Sequence, residues 1–169
     1  MSKKPFETIK IEKGIGVVAF DLDGVLMPLL KRSKPYIEYS GEERKSYERT
    51  RLWQYENDVK LRSPEGEFYI ISSRQEKYRA ITELWLKSNN IHAKEVILMD
   101  NSLTFNHIRD HKLKYLIEKK ITKYYEDDAK LIKVLAKKLP DLEVIQIERN
   151  TENVRTQEDI TIQNDQLEF

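Results

Sequence analysis

The chain has 169 residues, 39% hydrophobic and 35% charged, which suits one folded core under a heavily charged surface and excludes a disordered chain. Thirty Lys and Arg against 29 Asp and Glu leave a net charge of +1, so no global field gathers nucleic acid, although a local patch remains open. Cysteine is absent, which excludes thiol nucleophiles, zinc–thiolate sites and disulfides and fits a reducing compartment. No apolar run approaches the roughly 20 residues that span a bilayer. Met1 to Lys4 is not followed by the apolar core of a signal peptide. The expectation is a soluble, cytoplasmic protein with no membrane partner.

Residues 1–15 read as a polar tail, with a short strand at Thr8–Ile11. Val17 to Phe20 form the first buried strand, because a strand covered on both faces is apolar without alternation. Residues 27–66 hold Pro28, Pro35 and Pro64 and a charged stretch, Glu42 to Lys60, with Tyr47, Leu52 and Trp53 near helical spacing. This segment reads as a small insertion over the strand ends rather than a separate domain. Phe68 to Ile71 is the second strand, ending at Ser72. Ser73 and Glu76 have the spacing of a capping box, which predicts a helix to about Ser88. Its buried stripe would be Tyr78, Ile81, Leu84 and Trp85, and Asn89-Asn90 would end it.

Val96 to Met99 is the third strand, with Asp100-Asn101-Ser102 as loop. A helix from about Asn106 to Lys119 carries Ile108, Leu113, Leu116 and Ile117. Lys123 to Tyr125 is a short fourth strand ending in Glu126-Asp127-Asp128. Asp128 would cap the next helix, Ala129 to about Lys138, with Ile132, Leu135 and Ala136 on its apolar face. Pro140 closes that helix, and Val144 to Ile147 is a fifth strand. One domain, 1–148, is followed by a polar tail, 149–169; after Ile147 six acids face two bases. That tail reads either as mobile or as a docked extended segment. Strands alternating with helices predict an α/β, Rossmann-like doubly wound parallel sheet in three layers, α/β/α.

Asp21 and Asp23 stand two residues apart at the end of the first strand, where ligands bind in open α/β sheets. Adjacent carboxylates repel and need a cation or a shared proton, so the pair points to a divalent metal and chemistry on an anion. Asp21 is placed to attack phosphorus and form an aspartyl phosphate. Asp23 is placed to protonate the leaving oxygen and then accept a proton from water. Mg²⁺ suits an all-oxygen site of few carboxylates. Asp127 is the third candidate ligand, with Asp128 behind it. Ser72 can hydrogen-bond a phosphoryl oxygen, and Lys112 can balance charge as the substrate reacts.

Val18 to Leu26, with Phe20-Asp21-Leu22-Asp23-Gly24 at its centre, resembles the first motif of the haloacid dehalogenase (HAD) superfamily. Ile70-Ile71-Ser72-Ser73-Arg74 is similar to the second motif, with Ser73 where many members carry Gly. Lys112 and the run Tyr124 to Asp128 resemble the third and fourth motifs in order and spacing. The resemblance spans Gly16 to Ile147. It implies a Rossmann-like sheet, an essential Mg²⁺ and phosphatase activity. It makes Asp21 the nucleophile and Asp23 an acid/base that also binds metal through its carbonyl. Ser72, with Ser73 beside it, and Lys112 become phosphate ligands, and Asp127 or Asp128 metal ligands. The small insertion resembles that of the phosphatase domain of polynucleotide kinases, so the implied substrate is a nucleotide or a polynucleotide terminal phosphate.

Each residue also has a plainer reading. An Asp-x-Asp-Gly string alone is weak, and the weight lies in four motifs occurring in order. Lys112 competes with Lys114, Lys119 and Lys120, which read as solvated helix charges. Part of Glu126-Asp127-Asp128 reads as an acidic helix start favoured by the dipole. Arg74 is either a phosphate-side residue or a salt-bridge partner. The basic and aromatic residues of 27–66 could grip nucleic acid, but interleaved acids favour a solvated mixed-charge helix. His92, His107 and His111 read as surface residues. Other functional classes are a sugar or metabolite phosphatase and a phosphate- or RNA-binding module without turnover. A receiver-like phosphoacceptor would need a mid-chain acceptor Asp that this chain does not offer.

Overall fold

Ala19 and Phe20 are neighbours with no exposed surface, and they point into opposite halves of the core. The structure is a computed structural model that describes residues 6–100 and 104–160. Residues 1–5, the predicted loop residues Asn101 and Ser102, and the tail beyond residue 160 lie outside the described residues. The strands are β1 (Glu7–Lys10), β2 (Val18–Phe20), β3 (Leu29–Lys31), β4 (Arg62–Glu65), β5 (Tyr69–Gln75), β6 (Glu95–Met99), β7 (Lys123–Glu126), β8 (Glu143–Gln146) and β9 (Val154–Thr156). The helices are α1 (Gly41–Asn57), α2 (Arg79–Ser88), α3 (Phe105–Glu118) and α4 (Ala129–Lys138).

The central sheet runs β6-β5-β2-β7-β8, and every pairing in it is parallel. On one face Phe20 packs with Phe68, Tyr55 of α1 and Trp85 and Leu86 of α2. On the other, Ala19 packs with Leu116 of α3 and Leu131 and Leu135 of α4. This is the Rossmann-like three-layer α/β fold that the alternation of elements predicts. The chain winds from β2 outward through β5 and β6, then returns to the other side of β2 as β7 and β8. The carboxyl ends of β2 and β7 therefore lie side by side at the point where strand order reverses, the usual place for a ligand in such sheets.

Two small parallel sheets flank this core. β1 pairs with β4, and Pro64, which lacks an N–H, is tolerated in that two-stranded ribbon because its missing donor faces no further strand. β3 pairs with β9, so the described part of the polar C-terminal segment is docked. Its Ile160 is buried against Leu30, Tyr39 and Tyr47. No helix among the described residues is long and apolar enough to cross a membrane.

Several local expectations fail for identifiable reasons. Ser73 does not cap a helix: β5 continues to Gln75, and α2 starts at Arg79 after one 3₁₀ turn, with no side-chain cap. Buried Arg74 explains the longer strand, because its guanidinium is bonded to groups on the first loop and α2. Leu84 is exposed on α2, and Thr82, Trp85 and Leu86 are buried instead. On α3 Ile117 is exposed, while Lys112 and Leu116 take the buried positions. Leu131 and Leu135 are buried on α4 while Ala136 is exposed, and Asp128 does cap this helix, accepting from the Lys130 and Leu131 N–H groups. α1 buries Tyr47, Thr50, Gln54 and Tyr55, leaving Leu52 exposed. Its inner stripe is half polar, with Gln54 Nε2 donating to the Pro28 carbonyl at 2.7 Å, so hydrophobic spacing alone misplaces it.

Candidate functional site

β2 stops being a ladder strand just after Phe20. The Asp21 N–H still donates to the Tyr125 carbonyl of β7 at 2.9 Å. The chain then coils, and the Leu22 carbonyl accepts from Val25, Leu26 and Met27. Leu22, Val25, Leu26 and Met27 are fully buried, so apolar packing fixes the loop that carries Asp21, Asp23 and Gly24. Asp21 itself is nearly buried, and its Oδ1 accepts from the Leu22 N–H at 2.8 Å.

Lys112 reaches Asp21 from the third turn of α3. Its Nζ lies 2.9 Å from Asp21 Oδ1 and 3.3 Å from Glu126 Oε1. It also donates to the Ile71 carbonyl at 2.8 Å and to the Tyr124 hydroxyl. Burial alone would pull the ammonium toward neutrality, but the Asp21 and Glu126 charges more than offset this and raise its pKa. A lysine with 1% side-chain exposure is tolerated only with such partners.

One ligand oxygen each of Asp21, Glu126 and Asp127 lie within 4.8 Å of one another, and all three residues are buried. Burial, then repulsion from Glu126, raises Asp21 well above the carboxylate range. The same two causes push Asp127 up to about 7. Burial opposes ionisation of Glu126 too, but Lys112 and donors from its neighbours hold it down at about 2. The buried ammonium of Lys112 serves Asp21 and Glu126, and the half-exposed Arg149 guanidinium serves Asp127; a divalent cation would relieve the mutual repulsion of the three carboxylates. Gly24 leaves space for the cluster: a Cβ there would meet Asp127 Oδ2 at 2.1 Å, at a φ of +86°. The donor set is all oxygen, which suits a hard cation.

The other sequence candidates are arranged around this trio. Asp23 lies on the cleft wall, and Arg74 grips it with two hydrogen bonds, Nη2 to Oδ1 at 2.6 Å and Nε to Oδ2 at 3.3 Å. Arg74 is therefore a salt-bridge partner, held over the Tyr55 ring at 3.5 Å. The Ser72 hydroxyl is buried and accepts from the Arg74 N–H at 3.0 Å. Ser73 is half-buried and lines the cleft. The Asp128 carboxylate, although it also borders the cleft, is engaged in capping α4. Asp100 is exposed. His111 is half-buried with a ring nitrogen 2.9 Å from the Ser72 carbonyl, so it is no surface histidine, and burial lowers its pKa.

Glu126 is the residue that sequence reasoning passed over as part of an acidic helix start. Strand alternation carries the missing signal. Tyr124 and Glu126 share one face of β7, and the Tyr124 hydroxyl lies 3.1 Å from Glu126 Oε1. Arg149 was equally invisible. It comes from the segment after β8, and its Nε donates to Asp127 Oδ2 at 3.0 Å.

Above the trio is a cleft of about 570 Å³. Its floor is Asp21, Glu126, Asp127 and Lys112, and its walls include Tyr47, Arg51 and Tyr55 of the insertion. Lys31, Arg32 and Lys34 border it on the β3 side. Lys34 is paired with Glu43 at 2.6 Å.

No protein-family profile and no curated protein matches the sequence. Among solved structures, the chain is similar to a chain in the Pnkp1/Rnl/Hen1 RNA repair complex, at 15% identity and a TM-score of 0.52, over 89% of this chain and 48% of that one. A second structure of the Pnkp1/Rnl/Hen1 complex gives 16% identity and a TM-score of 0.51, over 82% of this chain and 48% of that one. The chain spans about half the length of the solved chains it matches. At these identities the likeness is one of fold, a three-layer α/β domain.

Proposed function

We propose that the chain is a Mg²⁺-dependent phosphomonoester hydrolase of the HAD type, acting through an aspartyl phosphate on Asp21. The observation that carries this reading is the contact of Asp21 Oδ1 with Lys112 Nζ at 2.9 Å, inside a carboxylate trio at the floor of an open cleft. In the first step a carboxylate oxygen of Asp21 attacks phosphorus and the bond to the leaving oxygen breaks. Asp23 gives its proton to that oxygen. In the second step Asp23 takes a proton from water, the water oxygen attacks phosphorus, and the bond to Asp21 breaks to release orthophosphate. Arg74 fixes the Asp23 carboxylate toward the cleft, and Lys112 offsets the charge that builds on the phosphoryl oxygens. The Ser72 hydroxyl and Ser73 are the proposed hydrogen-bond donors to those oxygens. Asp21, Glu126 and Asp127 would hold the cation, with Asp128 as helix cap behind them. Bound Mg²⁺ would neutralise the carboxylates and draw charge off the phosphoryl group.

The proposed substrate is a nucleotide or polynucleotide terminal phosphate. A cleft of this size holds more than a phosphate, and Lys31 and Arg32 are exposed beside it for a second anion. The fold shared with chains of an RNA repair complex supports the same class. The test is hydrolysis of an aryl phosphate, then of a panel of 3′- and 5′-phosphorylated mononucleotides, oligonucleotides and sugar phosphates. Turnover should need Mg²⁺, stop with chelator and favour the oligonucleotides. Binding without turnover across the whole panel contradicts the enzyme reading. Replacing Lys31 and Arg32 together by Ala should raise KM for a phosphorylated dinucleotide about 5- to 30-fold, the size of one or two lost charge contacts, and leave an aryl phosphate unchanged. Equal effects on both substrates would remove these residues from substrate recognition.

Gly24→Ala tests the cation seat. The new Cβ needs the space of Asp127 Oδ2 and a left-handed backbone. Calorimetric titration should give a Mg²⁺ affinity about 10- to 100-fold weaker, with the circular dichroism spectrum retained. Unchanged affinity would mean that Asp127 takes no part in holding the ion.

A further inference from the structure

After β8 the chain returns across the carboxyl ends of the sheet and is tied to the loop that carries Asp21 and Asp23. The Ile147 N–H donates to the Glu126 carbonyl at 2.8 Å. Asn153, with 3% exposure, donates its side-chain amide to the Gly24 carbonyl at 2.9 Å and accepts from the Asn150 N–H at 2.7 Å. This stapled turn presents Arg149 to the cleft, where its guanidinium holds Asp127 Oδ2 at 3.0 Å. The two partners differ in freedom: the Asp127 side chain is 3% exposed, while that of Arg149 is 47% exposed. Asp127 is fixed in the acidic trio, and Arg149 is held by it on one side with solvent on the other.

A guanidinium and a divalent cation compete for one carboxylate, and their like charges oppose simultaneous occupancy. We propose that Arg149 fills the cation's place on Asp127 in the metal-free protein and, once released, grips the oxygens of the substrate phosphate. This rests on the phosphatase reading above. Arg149 lies after Ile147, outside the four motifs. Its planar fork matches two phosphoryl oxygens. The anchored backbone keeps it at the cleft while its side chain swings, so the exchange needs no movement of the fold.

The experiment titrates the metal-free full chain with Mg²⁺ by calorimetry, then titrates the Mg²⁺-loaded protein with inorganic phosphate. Arg149→Gln should bind Mg²⁺ about tenfold more tightly than the parent, since a competing charge-assisted bond is gone. It should bind phosphate about tenfold more weakly, and raise KM more than it lowers kcat. Arg149→Lys keeps the charge and should return Mg²⁺ affinity toward the parent while recovering only part of the phosphate affinity. Mg²⁺ binding unchanged or weakened in Arg149→Gln overturns the competition. Phosphate binding unchanged in that variant overturns the second role. Failure of the parent itself to bind Mg²⁺ is a different result, and it strikes at the phosphatase reading instead.

Discussion

Asp21→Asn is expected to lower phosphomonoester turnover by at least about three orders of magnitude, because an amide does not act as the covalent nucleophile and the remaining groups retain only binding and charge stabilisation. The same variant should not be unstable. Burial and the Glu126 charge raise the Asp21 pKa, so the folded protein binds the Asp21 proton more tightly than the unfolded chain does. The stability from that proton is complete below the ordinary carboxylate range and is lost as pH rises through the raised pKa. At pH 8 in chelator the buried Asp21 carboxyl is therefore a cost, which a neutral amide of similar shape removes. The melting temperature of Asp21→Asn at pH 8 without metal should equal or exceed that of the parent, and at pH 4 the advantage should vanish. Added Mg²⁺ should raise the parent's melting temperature and the variant's by much less. A variant that loses activity together with its fold at pH 8 would contradict this electrostatic account.

Lys112→Met is expected to be the most damaging single change to stability. Lys112 is the one buried cation that touches both Asp21 and Glu126 among the described residues, and it also satisfies the Ile71 carbonyl. Removing one partner of a buried ionic group costs about 3–5 kcal/mol, on the order of 10 °C in melting temperature for a domain of this size. Turnover should fall about 10²- to 10³-fold. The double change Lys112→Met with Glu126→Gln separates structure from chemistry. It should recover about 1–3 kcal/mol of the loss, because the buried charge left behind is now neutral. Activity should stay low. An unaltered melting temperature in Lys112→Met, measured at neutral pH in chelator, would sink the view that this ammonium holds the acidic floor together.

The sheet was legible because its strands are continuous apolar runs, such as Val17 to Phe20 and Val96 to Met99, and burial on both faces permits little else. Asp21, Lys112 and Asp127 could be picked out because each sits at a strand end or on a helix leading to one, and the structure brings these three together. The residues that escaped are those whose role depends on a partner distant in sequence. Arg74 stays open between a phosphate-side residue and a salt-bridge partner until Asp23, 51 positions earlier, is placed beside it. Glu126 looks like a helix-start acid until Lys112 of α3 is found beside it. Arg149 and Asn153 lie in a polar stretch without periodicity, and the backbone groups of Gly24 and Glu148 give Asn153 its place. α1 shows the converse problem. Its inward stripe includes Arg51, stacked over Tyr36, Tyr47 and Tyr78, and Gln54, so a hydrophobicity count sees no face at all.

Chemical trapping tests the central claim most directly. The Mg²⁺-loaded protein is quenched in acid during turnover of a phosphomonoester, reduced with borohydride and digested, and its peptides are analysed by mass spectrometry. The account predicts homoserine in place of Asp21 in its peptide, formed as hydride reduces the acyl phosphate carbonyl and orthophosphate leaves. Turnover with no adduct at Asp21, or an adduct confined to another residue, would contradict it.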